Sequence, residues 1–173
     1  DPDIRRFVDA INAAYIEHGA PAGASMAVRR QIAEQVRKPW REGGPIMAES
    51  HEMDMGGVRL RLHRPVADEK LPVMLYIHGG GWMLFSIDTH DRLMREYAHA
   101  SGLTVIGLDY ALSPEHKFPV ALDEVVAFLR ALDSHPDIRA IMLGGDSAGA
   151  NLSLSAAVAL RDAGRGDLLR ALL

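Results

Sequence analysis

The sequence predicts an α/β protein in which a mainly parallel β-sheet carries helices on both faces. Short apolar runs with the composition of buried strands alternate with segments whose apolar residues recur at helical spacing. The runs lie at 71–77, 103–110 and 138–144, and the helical segments that follow lie at 88–101, 118–133 and 147–163. Strands and helices that alternate in this way are typical of crossover connections between parallel strands.

A helical segment precedes the predicted sheet. Apolar residues recur at helical spacing up to Tyr15, and Gly19 ends this first helix. Ser25 is suited to cap a second helix, which we expect Pro39 and the glycines after it to end. We therefore treat residues 1–45 as a separate N-terminal helical segment.

The second predicted segment, 46–173, contains the whole sheet. It opens with two strands, 47–55 and 58–64, joined at Gly56-Gly57, a dipeptide suited to a tight hairpin turn. The apolar run that begins at Leu168 has the pattern of a sixth strand, at which the sequence stops.

Composition excludes several classes of protein. The 173 residues have the length of one domain, and 19 basic against 23 acidic side chains give a net charge of -4, so no nucleic-acid partner is expected. The absence of cysteine excludes disulfides, thiol nucleophiles and thiolate metal sites. No apolar run approaches the ~20 residues of a membrane span, and no signal peptide is recognisable. We expect a cytoplasmic protein without membrane insertion.

The pentapeptide Gly145–Gly149 is the first functional signal. It has the pattern G-x-S-x-G and lies between a predicted strand and a predicted helix. A serine in this turn is exposed above the sheet, at the positive end of the helix. Ser147 is therefore a candidate nucleophile. The alternative is a glycine-rich turn in which Ser147 only caps the helix.

The second signal is His78–Trp82, which contains three consecutive glycines directly after the first buried strand. Glycines expose backbone N–H groups that can stabilise the oxyanion of a tetrahedral intermediate. The alternatives are a flexible loop and a phosphate-binding loop, although neither phosphate-loop consensus is present. His78 itself is expected to shape the loop.

Together, in this order and strand context, the two motifs resemble those of the hormone-sensitive-lipase-type branch of the α/β-hydrolases, the alpha/beta hydrolase fold-3 carboxylesterases. The resemblance covers nearly the whole chain from about residue 47 and rests on His78–Trp82, Asp109-Tyr110, Leu112–His116, Phe118-Pro119 and Gly144–Gly149. The family usually reads arginine-leucine-alanine-proline-glutamate where this chain has Ala111–Glu115.

The resemblance implies an α/β-hydrolase fold, with the N-terminal helices forming part of a cap over the active site. It implies that Ser147 is the nucleophile. The oxyanion donors would be the backbone N–H groups of Gly80, Gly81 and Ala148. Trp82 and Tyr110 would line the substrate pocket, or else belong to the core.

A serine esterase also needs a histidine and a carboxylate, which follow the serine in this fold. No histidine follows Ser147. Asp162 and Asp167 fit a solvated helix face and a turn, and Asp146 is expected to point away from Ser147. We therefore expect the acid and the histidine beyond Leu173, in a missing C-terminal segment or a partner chain.

The leading hypothesis is a serine carboxylesterase for small to medium acyl esters, with no metal or organic cofactor because serine chemistry requires none. An alternative is a small-molecule-binding protein on the same fold, similar to plant hormone receptors that keep the pocket and lose the histidine. A third is an inactive fragment. The 173 residues alone are expected to have little or no activity.

Overall fold

A computed structural model describes residues 1–67 and 72–173. The helices are α1 (Pro2–Glu17), α2 (Met26–Arg41), α3 (Asp91–Ser101), α4 (Val120–Asp133) and α5 (Ala148–Asp162). The strands are β1 (Glu49–Met55), β2 (Val58–Arg64), β3 (Val73–Ile77), β4 (Thr104–Leu108), β5 (Ile141–Gly145) and β6 (Leu169–Leu172).

In the described residues the strands form one sheet in the order β1-β2-β4-β3-β5-β6. The β1–β2 hairpin is antiparallel, and β2 pairs antiparallel with β4. The pairs β3–β4, β3–β5 and β5–β6 are parallel. The mainly parallel sheet predicted from the sequence is therefore confirmed.

The central strands are continuously apolar because helices cover both of their faces. Every residue of β3 and β4 is buried. On one face of the sheet, Leu75 and Leu143 pack with residues of α4 and α5. On the other face, Val105 packs with Met94 of α3. Gly107 makes that packing possible, since a Cβ there would lie 2.4 Å from the sulfur of Met94.

The N-terminal helices lie outside this core. None of the residues of α1 is buried, and α2 buries only two, Ala33 and Val36. The predicted cap of α2 is confirmed, because the Ser25 hydroxyl accepts the Val28 N–H at 3.4 Å. The predicted end of α2 is also observed: the helix ends at Arg41, between Pro39 and the pair Gly43-Gly44. A proline in the last turn of a helix removes one backbone hydrogen bond, and here the helix continues for two residues beyond it.

The predicted element boundaries differ from the observed ones by up to three residues. The strand predicted over 138–144 is observed as Ile141–Gly145. The helix predicted over 88–101 begins at Asp91, because Ser86 and Thr89 form a hydrogen-bonded turn before it. The first residue of the strand predicted over 71–77, Leu71, lies outside the described residues.

Candidate active site

The turn between β5 and α5 places Ser147 at the first turn of a helix. Its φ of 51° and ψ of -115° lie in a region of backbone conformation that residues other than glycine rarely adopt. The residue is exposed, and α5 begins at the next residue, Ala148. This is the position that the sequence predicted for Ser147, at the positive end of the helix.

The two glycines of the pentapeptide allow α5 to approach the end of β3. A Cβ on Gly149 would lie 1.9 Å from the carbonyl oxygen of Ile77, and one on Gly145 would lie 2.3 Å from the same oxygen. Both distances are far below van der Waals contact, and the atom met is backbone, which cannot rotate away. Glycine at both positions therefore fixes how the turn crosses the strand.

The glycine-rich loop after β3 also has positive φ angles, 127° at Gly80 and 62° at Gly81. The Gly80 carbonyl accepts the N–H groups of Met83 at 3.2 Å and Leu84 at 2.9 Å, which closes a turn. Among the described residues, the N–H groups of Gly80, Gly81 and Ala148 have no acceptor. The three N–H groups that the resemblance assigns to the oxyanion thus have no partner in the part of the chain that the structure describes.

Asp146 connects the loop to the turn that carries Ser147. Its Oδ1 accepts the Gly79 N–H at 2.8 Å and the Tyr76 hydroxyl at 2.6 Å. His90 Nε2 lies 3.5 Å from the same oxygen. Because Ile77 and Gly145 are paired in the sheet, the loop and the turn leave the sheet at the same edge. The carboxylate then links them directly.

The charge of Asp146 is stabilised by these contacts. Burial alone would raise its pKa, but His90 and Tyr76 hydrogen-bond the charged form and hold the pKa below its usual range. The carboxylate is therefore ionised at neutral pH, with its Oδ1 held by β3 and by the residue that precedes α3.

His78 is enclosed under the loop and stacks on Tyr110, with ring centroids 4.4 Å apart. Its Nδ1 lies 2.7 Å from the Gly79 carbonyl oxygen, so the ring donates to the loop backbone. Burial lowers the pKa of His78 to about 4, which leaves the ring neutral at pH 7. These contacts agree with the expectation that His78 shapes its loop.

The structure separates the two residues proposed for the substrate pocket. Tyr110 is 2% exposed, belongs to the core, and donates its hydroxyl to the His78 carbonyl at 2.9 Å. Of the two roles left open for Tyr110, its burial and this hydrogen bond favour the core role. Trp82 is 43% exposed and borders a cleft.

Two mainly apolar clefts border the glycine-rich loop. The first, here called the Trp82 cleft, has a volume of about 400 Å³, and its lining includes Trp82, Phe118, Leu122, Asn151 and Leu152. The second, called the helix cleft, has about 490 Å³ and lies between the loop and the N-terminal helices. Its lining includes Tyr15, Met26, Ile32, Gly81 and Leu84. Both clefts therefore meet at Gly81.

Arg30 of α2 reaches this region and was missed by the sequence analysis. Its Nε donates to the Met83 carbonyl at 2.8 Å, and its Nη2 donates to the Ser113 carbonyl at 2.8 Å. Two further bonds, of 2.6 and 3.1 Å, pair it with the carboxylate of Glu115. The partners lie 53 to 85 residues from Arg30 along the chain, so no local sequence pattern could have indicated them.

The described residues contain no group of three or more histidine, aspartate or glutamate side chains arranged to hold a metal ion. In the same part of the chain, no helix combines the length and the hydropathy that crossing a membrane requires.

Comparison with known proteins identifies the family. The sequence profile of the family described as alpha/beta hydrolase fold matches residues 74–173, more than half of the chain. The chain belongs to this family, as the motifs around Ser147 and His78 predicted.

Solved structures agree with this assignment. An ester hydrolase from the metagenome of Lake Arreo, in complex with a bipyridine phosphonate derivative, is 33% identical at a TM-score of 0.85, over 95% of this chain and 56% of that one. An esterase of the bacterial hormone-sensitive lipase family is 31% identical at a TM-score of 0.82, over 95% of this chain and 54% of that one. A Pyrobaculum calidifontis esterase is 30% identical at a TM-score of 0.80, over 88% of this chain and 53% of that one. The chain spans about half the length of these proteins.

Proposed function

We propose that this chain is the N-terminal part of a serine carboxylesterase that hydrolyses small to medium acyl esters through an acyl-enzyme on Ser147. The observation that carries the proposal is the exposed serine at the start of α5, joined through Asp146 to a loop with unused N–H donors. The esterases and ester hydrolases among the similar structures support the same reaction class.

In the proposed reaction, the Ser147 oxygen attacks the ester carbonyl carbon and the carbonyl oxygen becomes an oxyanion. The N–H groups of Gly80, Gly81 and Ala148 donate to that oxyanion, and losing one such donor typically costs ~3–4 kcal/mol of transition-state stabilisation. The tetrahedral intermediate then collapses: the bond between the carbonyl carbon and the alcohol oxygen breaks, the proton taken from Ser147 passes to that oxygen, and the acyl group stays on the serine. A water molecule attacks the acyl-enzyme, releases the acid and restores the serine.

The proton from Ser147 needs a base, and no histidine follows this residue in the sequence. In this fold the acid and the histidine come after the serine. We therefore propose that both are supplied from outside residues 1–173, by a further segment of the polypeptide or by a partner chain. Residues 1–173 alone would then keep the oxyanion donors and lose most of the rate.

The two clefts support the proposed substrate class. Each has a volume in the lower part of the range of ligand pockets, about 300–1,000 Å³, and each is mainly apolar. We assign the acyl and alcohol groups to the Trp82 cleft and the helix cleft, with the segment 1–45 as a cap. The cytoplasmic location expected from the sequence stays a prediction.

The test is a fluorophosphonate probe followed by peptide mapping, on the protein expressed from its complete gene and on Ser147→Ala. Labelling is expected on Ser147, and hydrolysis of short-chain aryl esters is expected to disappear in Ser147→Ala. The matched control is Ser134→Ala, which removes an exposed serine at the end of α4. Labelling elsewhere, or hydrolysis that survives Ser147→Ala, contradicts the mechanism. A protein that binds esters without turnover supports the receptor-like alternative.

A further inference from the structure

The loop that carries the oxyanion donors has a strained backbone beyond its glycines. Trp82 has a φ of 60° and Phe85 a φ of 71°, on either side of Met83 and Leu84. Residues other than glycine adopt such angles only at an energetic cost, and the conformation persists only where surrounding contacts hold it. Something outside the loop must therefore stabilise it.

Two hydrogen bonds from outside reach the strained part of the loop. The Ser113 N–H donates to the Trp82 carbonyl at 2.8 Å, and Arg30 Nε donates to the next carbonyl, that of Met83, at 2.8 Å. Arg30 also donates to the Ser113 carbonyl. The guanidinium thus contacts the loop and the segment that supports it.

The position of Met83 restrains the direction of the Gly81 N–H, one of the proposed oxyanion donors. The Met83 N–H donates to the Gly80 carbonyl, so the two residues belong to one hydrogen-bonded turn. The Gly80 carbonyl and the Gly81 N–H lie in the same planar peptide unit. A contact that holds the turn at Met83 therefore restrains the direction of the Gly81 N–H.

We propose that Arg30 is a positioning residue, which holds the glycine-rich loop in the conformation that aims the Gly81 N–H at the oxyanion. The proposal rests on the proposed esterase function and adds a role for the N-terminal helices: α2 positions the Gly81 N–H in addition to bordering the helix cleft. Arg30 does not touch the reacting atoms, and it acts through Met83.

The planar fork of arginine suits this role. Four of its five N–H donors bond two carbonyl oxygens and both carboxylate oxygens of Glu115 at once. A lysine keeps the positive charge, but its ammonium has only three donors around a single nitrogen and cannot reach this set of partners. The substitution Arg30→Lys therefore separates the geometry of the contact from its charge.

The experiment compares Arg30→Met and Arg30→Lys with the wild type, in the protein from the complete gene. The matched control is Arg165→Gln, which removes an exposed arginine–carboxylate pair with Asp133, far from the loop in sequence and outside both clefts. For a short-chain aryl ester, kcat is expected to fall about 10-fold to 100-fold in both Arg30 variants, because misplacing a catalytic group by ~1 Å can cost about 100-fold. KM is expected to stay within about twofold, because the oxyanion forms only in the transition state.

Amide hydrogen exchange of peptides covering residues 80–85 gives a second readout that needs no turnover. The Met83 and Leu84 amides are expected to exchange faster in both Arg30 variants, and at the wild-type rate in Arg165→Gln. If the wild-type protein has no esterase activity, the proposed function falls, and exchange alone then decides whether Arg30 holds the loop. Unchanged exchange in Arg30→Met, or full kcat in Arg30→Lys, overturns the inference.

Discussion

The close approach of α5 to the end of β3 can be tested with a single methyl group. Gly149→Ala places a Cβ 1.9 Å from the Ile77 carbonyl oxygen, 2.6 Å from the Ile77 carbonyl carbon and 2.7 Å from the His78 carbonyl oxygen. All three atoms are backbone, so the clash is relieved only if the helix and the strand end move apart. Reaching 3.0 Å, below which real Cβ contacts essentially never occur, requires a displacement of about 1.1 Å.

A displacement of this size disturbs the packing of α5, whose buried residues include Leu152, Ala156 and Leu160. Overpacking a well-packed site typically costs ~1–3 kcal/mol, and a backbone clash belongs at the upper end of that range. We expect Gly149→Ala to lower the free energy of unfolding by about 3 kcal/mol. For a domain of this size, that corresponds to a fall in Tm of about 6–12 °C.

The assay is thermal and urea unfolding followed by circular dichroism, with Gly166→Ala as the matched control. The Cβ of that control would meet only ordinary contacts, the nearest being Arg161 Cα at 3.5 Å. Its Tm is expected to stay within about 2 °C of the wild type, since substitutions away from buried contacts usually change stability by less than ~0.5 kcal/mol. If Gly149→Ala melts as the wild type does, the explanation given for the glycines around Ser147 is refuted.

Two further predictions concern the contacts beneath the glycine-rich loop. Asp146→Asn is expected to lower the free energy of unfolding by about 1–2 kcal/mol at pH 7, a figure reduced because the carboxylate is nearly half exposed. The pKa of Asp146 is lowered in the folded state, so its contribution is present above the unfolded pKa of about 3.9 and is lost as the pH falls through the folded pKa. Urea unfolding of the wild type and of Asp146→Asn at several pH values checks this. A difference in the free energy of unfolding between the two that grows in acid contradicts it. Tyr110→Phe is expected to lower the free energy of unfolding by about 1 kcal/mol, because the buried His78 carbonyl loses its hydroxyl donor. A variant as stable as the wild type in urea would show that this bond contributes nothing.

The alternation of strands and helices could be predicted because it follows from local pattern. A strand buried on both faces must be apolar along its length, and the sequences of β3 and β4 show this directly. The ends of the elements were less predictable because pairing across the sheet sets them. β5 starts at Ile141 because that residue pairs with Val73 at the start of β3.

The positions of Ser147 and of the glycine-rich loop were also predictable. Each lies in a motif of five consecutive residues, so the signal can be recognised in the sequence even though the contact that requires Gly149, with the Ile77 carbonyl, is made only in the folded chain. The role of Tyr110 was not predictable. An aromatic residue after a strand fits a pocket wall or a core position equally well, and only its burial and its bond to His78, seen in the folded chain, favour the core position.

The sequence by itself determined the fold class, the serine at the turn and the loop with unused donors, because neighbouring residues encode these features. Only the tertiary structure decided that β2 pairs with β4, that Asp146 joins the two loops, and that Arg30 holds one of them. The physical reason is distance along the chain. A polar side chain such as Arg30 has the same local pattern whether it lies in water or bonds a carbonyl 53 residues away, and its partner is known only when the chain has folded back.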